Sequence, residues 1–179
     1  MKYFFSLILV LIITSCNSEQ VKPKIISGIK TEEMPSQESW NSKITFSDSG
    51  KIKAVLIAGQ IRVFEQSKET LLDSNVTVYF YDKFENQTTT LTSKKGRVDD
   101  NTNNLFAIDS VVAANDSGVV IRTQEMMWRN KDKKIVSDKY VVITSPAEVI
   151  EGYGFESDQQ LKNYVIYNVT YITRRDSLQ

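Results

Sequence analysis

The chain has 179 residues, with 22 basic and 22 acidic side chains, one cysteine and no histidine. Without histidine it cannot build Ser-His-Asp or Cys-His catalytic groups, and it lacks the commonest general base and metal ligand. Because the balanced charge also gives no basic field, we predict a protein that is not an enzyme and has no cofactor, metal site or nucleic-acid partner.

The N-terminal segment has the order of residues typical of a bacterial lipoprotein signal. Lys2 precedes an apolar run, Tyr3–Ile13, and two small residues stand directly before Cys16. The run of about 11 residues is about 16 Å long as a helix, whereas the core of a bilayer needs about 30 Å. We therefore predict a signal over residues 1–15, cleavage before Cys16, and acylation of Cys16, which anchors the chain in a membrane outside the cytoplasm.

Residues 16–39 comprise the lipidated N-terminus and a predicted flexible linker. This stretch is polar, contains Pro23 and Pro35, and shows no hydrophobic periodicity. The pattern changes at Trp40, where we place the start of a domain over residues 40–173. Residues 174–179 are a polar tail that begins with two arginines.

The domain consists of short segments rich in Val, Ile, Thr, Tyr and Phe that alternate with polar turns, which predicts an antiparallel all-β meander. Ser157–Asn163 has some helical character and is interpreted as a loop or a single turn. Examples of the predicted strands are Lys51–Ile57, Ile61–Glu65, Val76–Tyr81, Thr88–Ser93, Leu105–Ala113, Val119–Thr123, Ile135–Ile143 and Asn163–Ile172.

A pattern of apolar residues repeats at a spacing of thirty residues. Leu91 is followed by Leu105, Val111 and Ala113, and the same offsets after Ile121 reach Ile135, Val141 and Ile143. Such a repeat predicts stacked units that bury one continuous face, although any regular meander can produce the same coincidence.

Several strands carry bulky residues on both faces, so the interior has two possible natures. Val76, Val78 and Phe80 share one side of their strand, while Thr77 and Tyr79 lie on the other. In a closed barrel the inward face is simply a core, which is the more ordinary outcome. In an open or V-shaped sheet the same face would be an apolar groove for an acyl chain.

Motifs spread over Trp40–Val169 resemble the LptC family, the membrane-anchored periplasmic components of the lipopolysaccharide export machine. The Thr-x-x-x-x-Trp element, the Ser-Asp strand and the Gly-x-Gly-Phe-Glu-Ser segment stand in register and form the most specific part. The matching segments are Trp40–Ser42, Phe46–Lys51, Tyr79–Asp82, Ser93–Gly96, Thr123–Trp128, Lys134–Ile143 and Gly152–Asp158.

The resemblance implies a twisted antiparallel β-jellyroll, open along one seam, of the kind shared by LptA, LptC and OstA-like proteins. It implies that the interior accepts the acyl chains of lipopolysaccharide. An inner-membrane ABC transporter would load the protein, and a periplasmic bridge protein of the same fold would receive the lipid through edge-to-edge strand pairing. Many members carry an N-terminal membrane helix, whereas this chain has Cys16. We expect lipid anchoring at the periplasmic face of the inner membrane, and sorting of the lipoprotein to the outer membrane is the alternative.

Two groups of candidate residues follow from this interpretation. An ordinary turn is the more common role for glycines such as Gly152 and Gly154, and a core anchor is the more common role for a tryptophan such as Trp128. The candidate groove residues are Val78, Phe80, Val111, Trp128, Val141 and Ile143, and the candidate residues of the partner seam and its turn are Gly152, Gly154 and Phe155. The alternative functions are a structural or adhesive envelope lipoprotein with a sealed β core and, less favoured, a hydrolase using paired carboxylates.

Overall fold

A computed structural model describes residues 34–174 of the chain. This part contains eleven β-strands and no helix, which confirms the predicted all-β fold. Cys16, the signal over residues 1–15 and most of the predicted linker lie outside the described residues. The strands are β1 (Gln37–Asp48), β2 (Lys51–Phe64), β3 (Glu69–Asp73), β4 (Val76–Tyr81), β5 (Gln87–Ser93), β6 (Lys95–Asp99), β7 (Asn104–Asn115), β8 (Val120–Arg129), β9 (Lys134–Thr144), β10 (Glu148–Asp158) and β11 (Tyr164–Arg174).

All eleven strands belong to one antiparallel sheet, in the order β11-β10-β9-β8-β7-β5-β4-β2-β3-β6, with β1 on the other side of β2. The long strand β2 pairs first with β4 and then with β3. Strand β7 pairs in the same way with β6 and then with β5. Strands β3 and β4 therefore lie end to end beside β2, and β6 and β5 lie end to end beside β7. A sharp bend separates the two strands of each pair.

These bends fall in a line across the sheet and divide it into two half-sheets. Ser74 and Asn75 separate β3 from β4, and Asp109 and Ser110 interrupt β7; all four residues have positive φ. The ladder between β7 and β8 shifts register at the same level, as does the ladder between β9 and β10 beside Gly154. We call the part containing β4 and β5 half-sheet I and the part containing β3 and β6 half-sheet II.

The two half-sheets face each other across one hydrophobic interior. The rings of Phe46 and Phe80 in half-sheet I lie 6.1 and 6.0 Å from the ring of Trp128 in half-sheet II. Strand β4 shows how the pattern produces this core, because its residues alternate strictly between buried and half-buried from Val76 to Tyr81. The arrangement is that of an open β-jellyroll.

One row of paired apolar residues crosses half-sheet I from one edge of the sheet to the other. Each residue is the direct register partner of the next, and such partners project from the same face. The row, called here the apolar row, consists of Ile44, Leu56, Val78, Leu91, Ala113, Ile121, Ile143, Ile150 and Ile172. It crosses nine strands, and the predicted repeat positions Leu91, Ala113, Ile121 and Ile143 are four of its members.

The sequence prediction differs from the structure at one long strand, and β1, β3, β6 and β10 are not among the strands named from the sequence pattern. Lys51–Ile57 and Ile61–Glu65 were expected as separate strands, but β2 runs through both. The intervening Gly59 is extended and lies against Ser74, so close that an added Cβ would come within 2.6 Å of the Ser74 Cβ. The glycine therefore serves a close approach at the bend and not a turn.

Candidate functional site: the interior and the free strand edges

The six candidate groove residues all project into the interior and are almost fully buried. None exposes more than 3% of its surface, and all belong to the hydrophobic core cluster. Val78 and Ile143 are members of the apolar row, and Trp128 joins the half-sheets through Phe46 and Phe80. The described structure therefore has a filled interior at these positions.

Trp128 also borders a pocket at the end of the interior that lies away from the bends. This shallow pocket, of about 380 Å³, is lined partly by Lys53, Lys133 and Asn103. The ammonium of Lys133 lies 5.2 Å from the centre of the indole ring, a distance at which a cation is attracted to the π-face. The buried Nε1 of Trp128 has no hydrogen-bond acceptor among the described residues.

The candidate seam residues lie within β10, between β9 and β11, and not in the turn that was expected. Gly154 has a φ of +76°, which marks a bulge in the strand because the register with β9 shifts beside it. Phe155 is buried in the core. The glycines suggested a turn, but here they allow a bent strand to pass close beneath β11.

Strands β1 and β11 form the two free edges of the described sheet. Within residues 34–174, β1 pairs only with β2 and β11 pairs only with β10. Five apolar residues of β11 expose between 47 and 64% of their surface: Val165, Tyr167, Val169, Tyr171 and Ile172. Exposed edges of this kind readily pair with a further strand.

Part of this exposed surface is a continuation of the interior. Val169 pairs with Gly152, which pairs with the buried Val141, so these positions share the inward face. Ile172, the last member of the apolar row, is 56% exposed although Ile143, two strands away in the row, is fully buried. Within the described sheet the interior therefore opens at β11, because no further described strand covers it.

The approach of β10 to β11 leaves no room for a side chain at Gly152. A Cβ at this position would lie 2.3 Å from the Asn168 carbonyl oxygen and 2.9 Å from the Ile166 Cγ2. We expect Gly152→Ala to cost about 3 kcal/mol of unfolding free energy, as overpacking of a rigid site does, and to loosen β11 first. Chemical denaturation measures the first effect, and amide hydrogen exchange of β11 the second.

Gly50→Ala is the control for this prediction. Nothing lies within 4 Å of a Cβ at Gly50, so only the φ of +78° disfavours a side chain there. We expect this backbone strain to lower the free energy of unfolding by about 1–2 kcal/mol. Gly50→Ala should therefore lower the stability without a selective loss of amide protection in β11. Equal protection of β11 in Gly152→Ala and in the unsubstituted protein would contradict the proposed packing.

Two acidic residues beside Arg129, namely Asp132 and Glu156, are engaged in ion pairs. Glu156 contacts Lys134 and lies 3.1 Å from Arg129, and these two cations hold the pKa of Glu156 below its usual range. Arg129 also binds Asp132 at 2.6 Å.

In residues 34–174 there is no group of three or more acidic, cysteine or histidine residues that could hold a metal ion. Nor does this part of the chain contain a helix long and apolar enough to cross a membrane.

The segment that links β10 to β11 carries a feature that sequence reasoning missed. Ser157–Asn163 was interpreted as a loop or single turn, but Leu161 within it is fully buried in the core cluster. Its neighbours Gln159 and Gln160 are polar, so no periodic signal marks the leucine as interior.

Comparison with known proteins agrees with this architecture. A family model described as "Lipopolysaccharide-assembly, LptC-related" matches residues 5–173, nearly the whole chain. No curated protein matches the sequence. On the extent of this match and the open all-β sheet, the chain belongs to the LptC family, which takes part in lipopolysaccharide transport at the periplasmic side of the inner membrane.

Proposed function

We propose that the protein receives lipopolysaccharide from an inner-membrane ABC transporter and passes it to a periplasmic bridge protein of the same fold. The observation that carries this proposal is the apolar row, which extends from the edge strand β1 to the edge strand β11. A second jellyroll paired edge-to-edge would continue the row into its own interior. Strand addition of this kind gives affinity through backbone hydrogen bonds.

A continuous apolar path has a clear energetic role in moving a lipid. Each methylene exposed to water costs about 0.8 kcal/mol, so ten exposed methylenes would cost about 8 kcal/mol. A path that keeps the acyl chains covered removes most of this barrier. The protein then needs no catalytic group, because no covalent bond forms or breaks during the transfer.

We assign the two edges to different partners on their position and surface. Strand β1 follows the linker, and the 20 residues 17–36 separate Cys16 from Gln37. A flexible linker of this length spans on average about 25 Å and at most about 70 Å, which keeps β1 within reach of a transporter in the same membrane. The apolar β11 edge then faces the bridge protein.

We further propose that Cys16 is acylated and holds the domain at the periplasmic face of the inner membrane. The resemblance of residues 1–16 to a lipoprotein signal supports this anchor. The combined acyl chains would make attachment stable, since a single chain gives only reversible binding.

The filled interior favours one alternative, a structural or adhesive envelope lipoprotein with a sealed core. Val78 and Val141 are both fully buried, as they would be in such a protein. The two functions differ in their partners, because only the carrier needs the transporter and lipopolysaccharide.

Co-purification from membranes tests the proposal. A C-terminally tagged full-length protein, isolated in mild detergent, should bring down the transporter subunits and lipopolysaccharide together. The matched control carries residues 1–39 on an unrelated soluble domain and should bring down neither. Recovery of the tagged protein without the transporter, or equal recovery with the control, would refute the carrier function.

A further inference from the structure

The loop Gln159–Asn163, called here the latch loop, connects β10 and β11 and turns into the molecule. Hairpin loops normally lie on the surface, in contact with water. Here Leu161 is fully buried among the same residues that form the candidate groove. Its backbone has a φ of +54°, a left-handed conformation that bulky side chains rarely adopt.

Two hydrogen bonds hold the latch loop to the opposite half-sheet. The hydroxyl of Thr89 on β5 donates to the carbonyl oxygen of Gln159 at 2.7 Å. The side-chain amide of Asn115 at the end of β7 donates to the carbonyl oxygen of Gln160 at 2.9 Å. The loop therefore bridges the two half-sheets on the side opposite the bends.

One buried hydrogen-bond donor of the latch loop has no partner in the part of the chain that the structure describes. The Nε2 of Gln159 is buried and has no acceptor among residues 34–174. A buried donor without a partner is unfavourable, because it loses its hydrogen bonds to water. If the loop swung outward, the Nε2 of Gln159 could bond to water and the Leu161 backbone could leave the left-handed region. Burial of Leu161 and the two bridging hydrogen bonds oppose that movement.

We propose that the latch loop closes the interior of the lipid-free protein and that Leu161 occupies a position that an acyl chain takes in the loaded protein. The inference rests on the proposed carrier function. The interior is filled, so an entering chain must displace something. Among residues 34–174, Leu161 is the one member of the core cluster that lies in a loop and not in a strand, and its isobutyl group resembles a stretch of acyl chain.

The latch can be tested by fastening it. In the full-length protein, Asn115→Cys and Gln160→Cys place two thiols where the Asn115 side chain now contacts the Gln160 carbonyl oxygen, and oxidation would link the loop to β7. The proposed acylation takes up the thiol of Cys16. A photo-crosslinker at Val141 reports lipopolysaccharide in the interior. We expect the oxidised protein to give at least a tenfold lower yield of crosslinked lipopolysaccharide than the same protein reduced in the cell envelope.

A second disulfide separates this effect from that of disulfides in general. Val112 and Arg122 are direct partners on the outward side of β7 and β8, within one half-sheet. Val112→Cys with Arg122→Cys should leave the yield at Val141 unchanged. Leu161→Ala, which shortens the plug, should raise the yield severalfold in protein whose urea unfolding transition shows that it is folded.

The outcomes distinguish the latch from the carrier function on which it rests. If the oxidised latch protein is crosslinked as well as the reduced one, the latch is wrong and the carrier function stands. If the folded and exported protein without engineered cysteines is never crosslinked at Val141, Val78 or Val111, the carrier function is wrong and the latch falls with it.

Discussion

Replacing Phe80 by alanine is expected to lower the free energy of unfolding by about 3–5 kcal/mol. The ring is completely buried in β4, and it contacts Trp128 across the space between the half-sheets. Its removal leaves a cavity at the contact that joins the two halves. Because a domain of this size is stable by only about 5–15 kcal/mol, the loss is a large part of the total.

Phe84→Ala provides a matched control four residues along the chain. Phe84 lies in the turn after β4 and exposes 71% of its surface, so its loss should change stability by no more than about 0.5 kcal/mol. Urea denaturation followed by tryptophan fluorescence measures both variants. If Phe80→Ala were as mild as Phe84→Ala, Phe80 would line a groove that stays open in the lipid-free protein, and the filled interior described above would be wrong.

Strand periodicity was the part of the fold that the sequence could predict well. The alternation from Val76 to Tyr81 correctly places Val78 and Phe80 on the inward face. The positions Ile121 and Ile143 of the repeat are likewise paired and buried. In both cases a period of two is imposed by burial of one face, and burial is what hydrophobic patterning records.

The bends could not be predicted in the same way. Asp109 and Ser110 lie within a stretch that was correctly predicted as one strand, yet both have positive φ and divide it between the half-sheets. Neither residue is a glycine, the residue type that most readily adopts positive φ, so no glycine marks the bend in the sequence. Gly59 lies in the gap between the predicted strands Lys51–Ile57 and Ile61–Glu65, where β2 in fact continues.

The candidate site shows a similar division. Inward positions such as Val111 and Val141 follow from alternation, and the structure places both in the interior. The burial of Leu161 depends on hydrogen bonds from Thr89 and Asn115, which lie far away in the sequence. The exposure of Ile172 depends on the absence of a further strand beyond β11 in the described sheet. Neither circumstance leaves a local pattern.

The second large effect concerns where lipopolysaccharide contacts the protein. Photo-crosslinkers at inward positions should capture lipopolysaccharide in cells, because acyl chains enter the interior on the proposed path. Crosslinkers at the adjacent outward positions should not. Adjacent residues on a strand point to opposite faces, so each pair is matched in depth along the molecule.

Mapping crosslinks at three such pairs tests the carrier function most directly. The pairs are Val78 with Tyr79, Val111 with Val112 and Val141 with Val142, inward residue first. With protein amounts in the membrane equal, we expect at least tenfold more lipopolysaccharide captured at the inward member of each pair. Equal capture at both members, or none at any inward position of a folded and exported protein, would contradict the proposal that lipopolysaccharide passes through this interior.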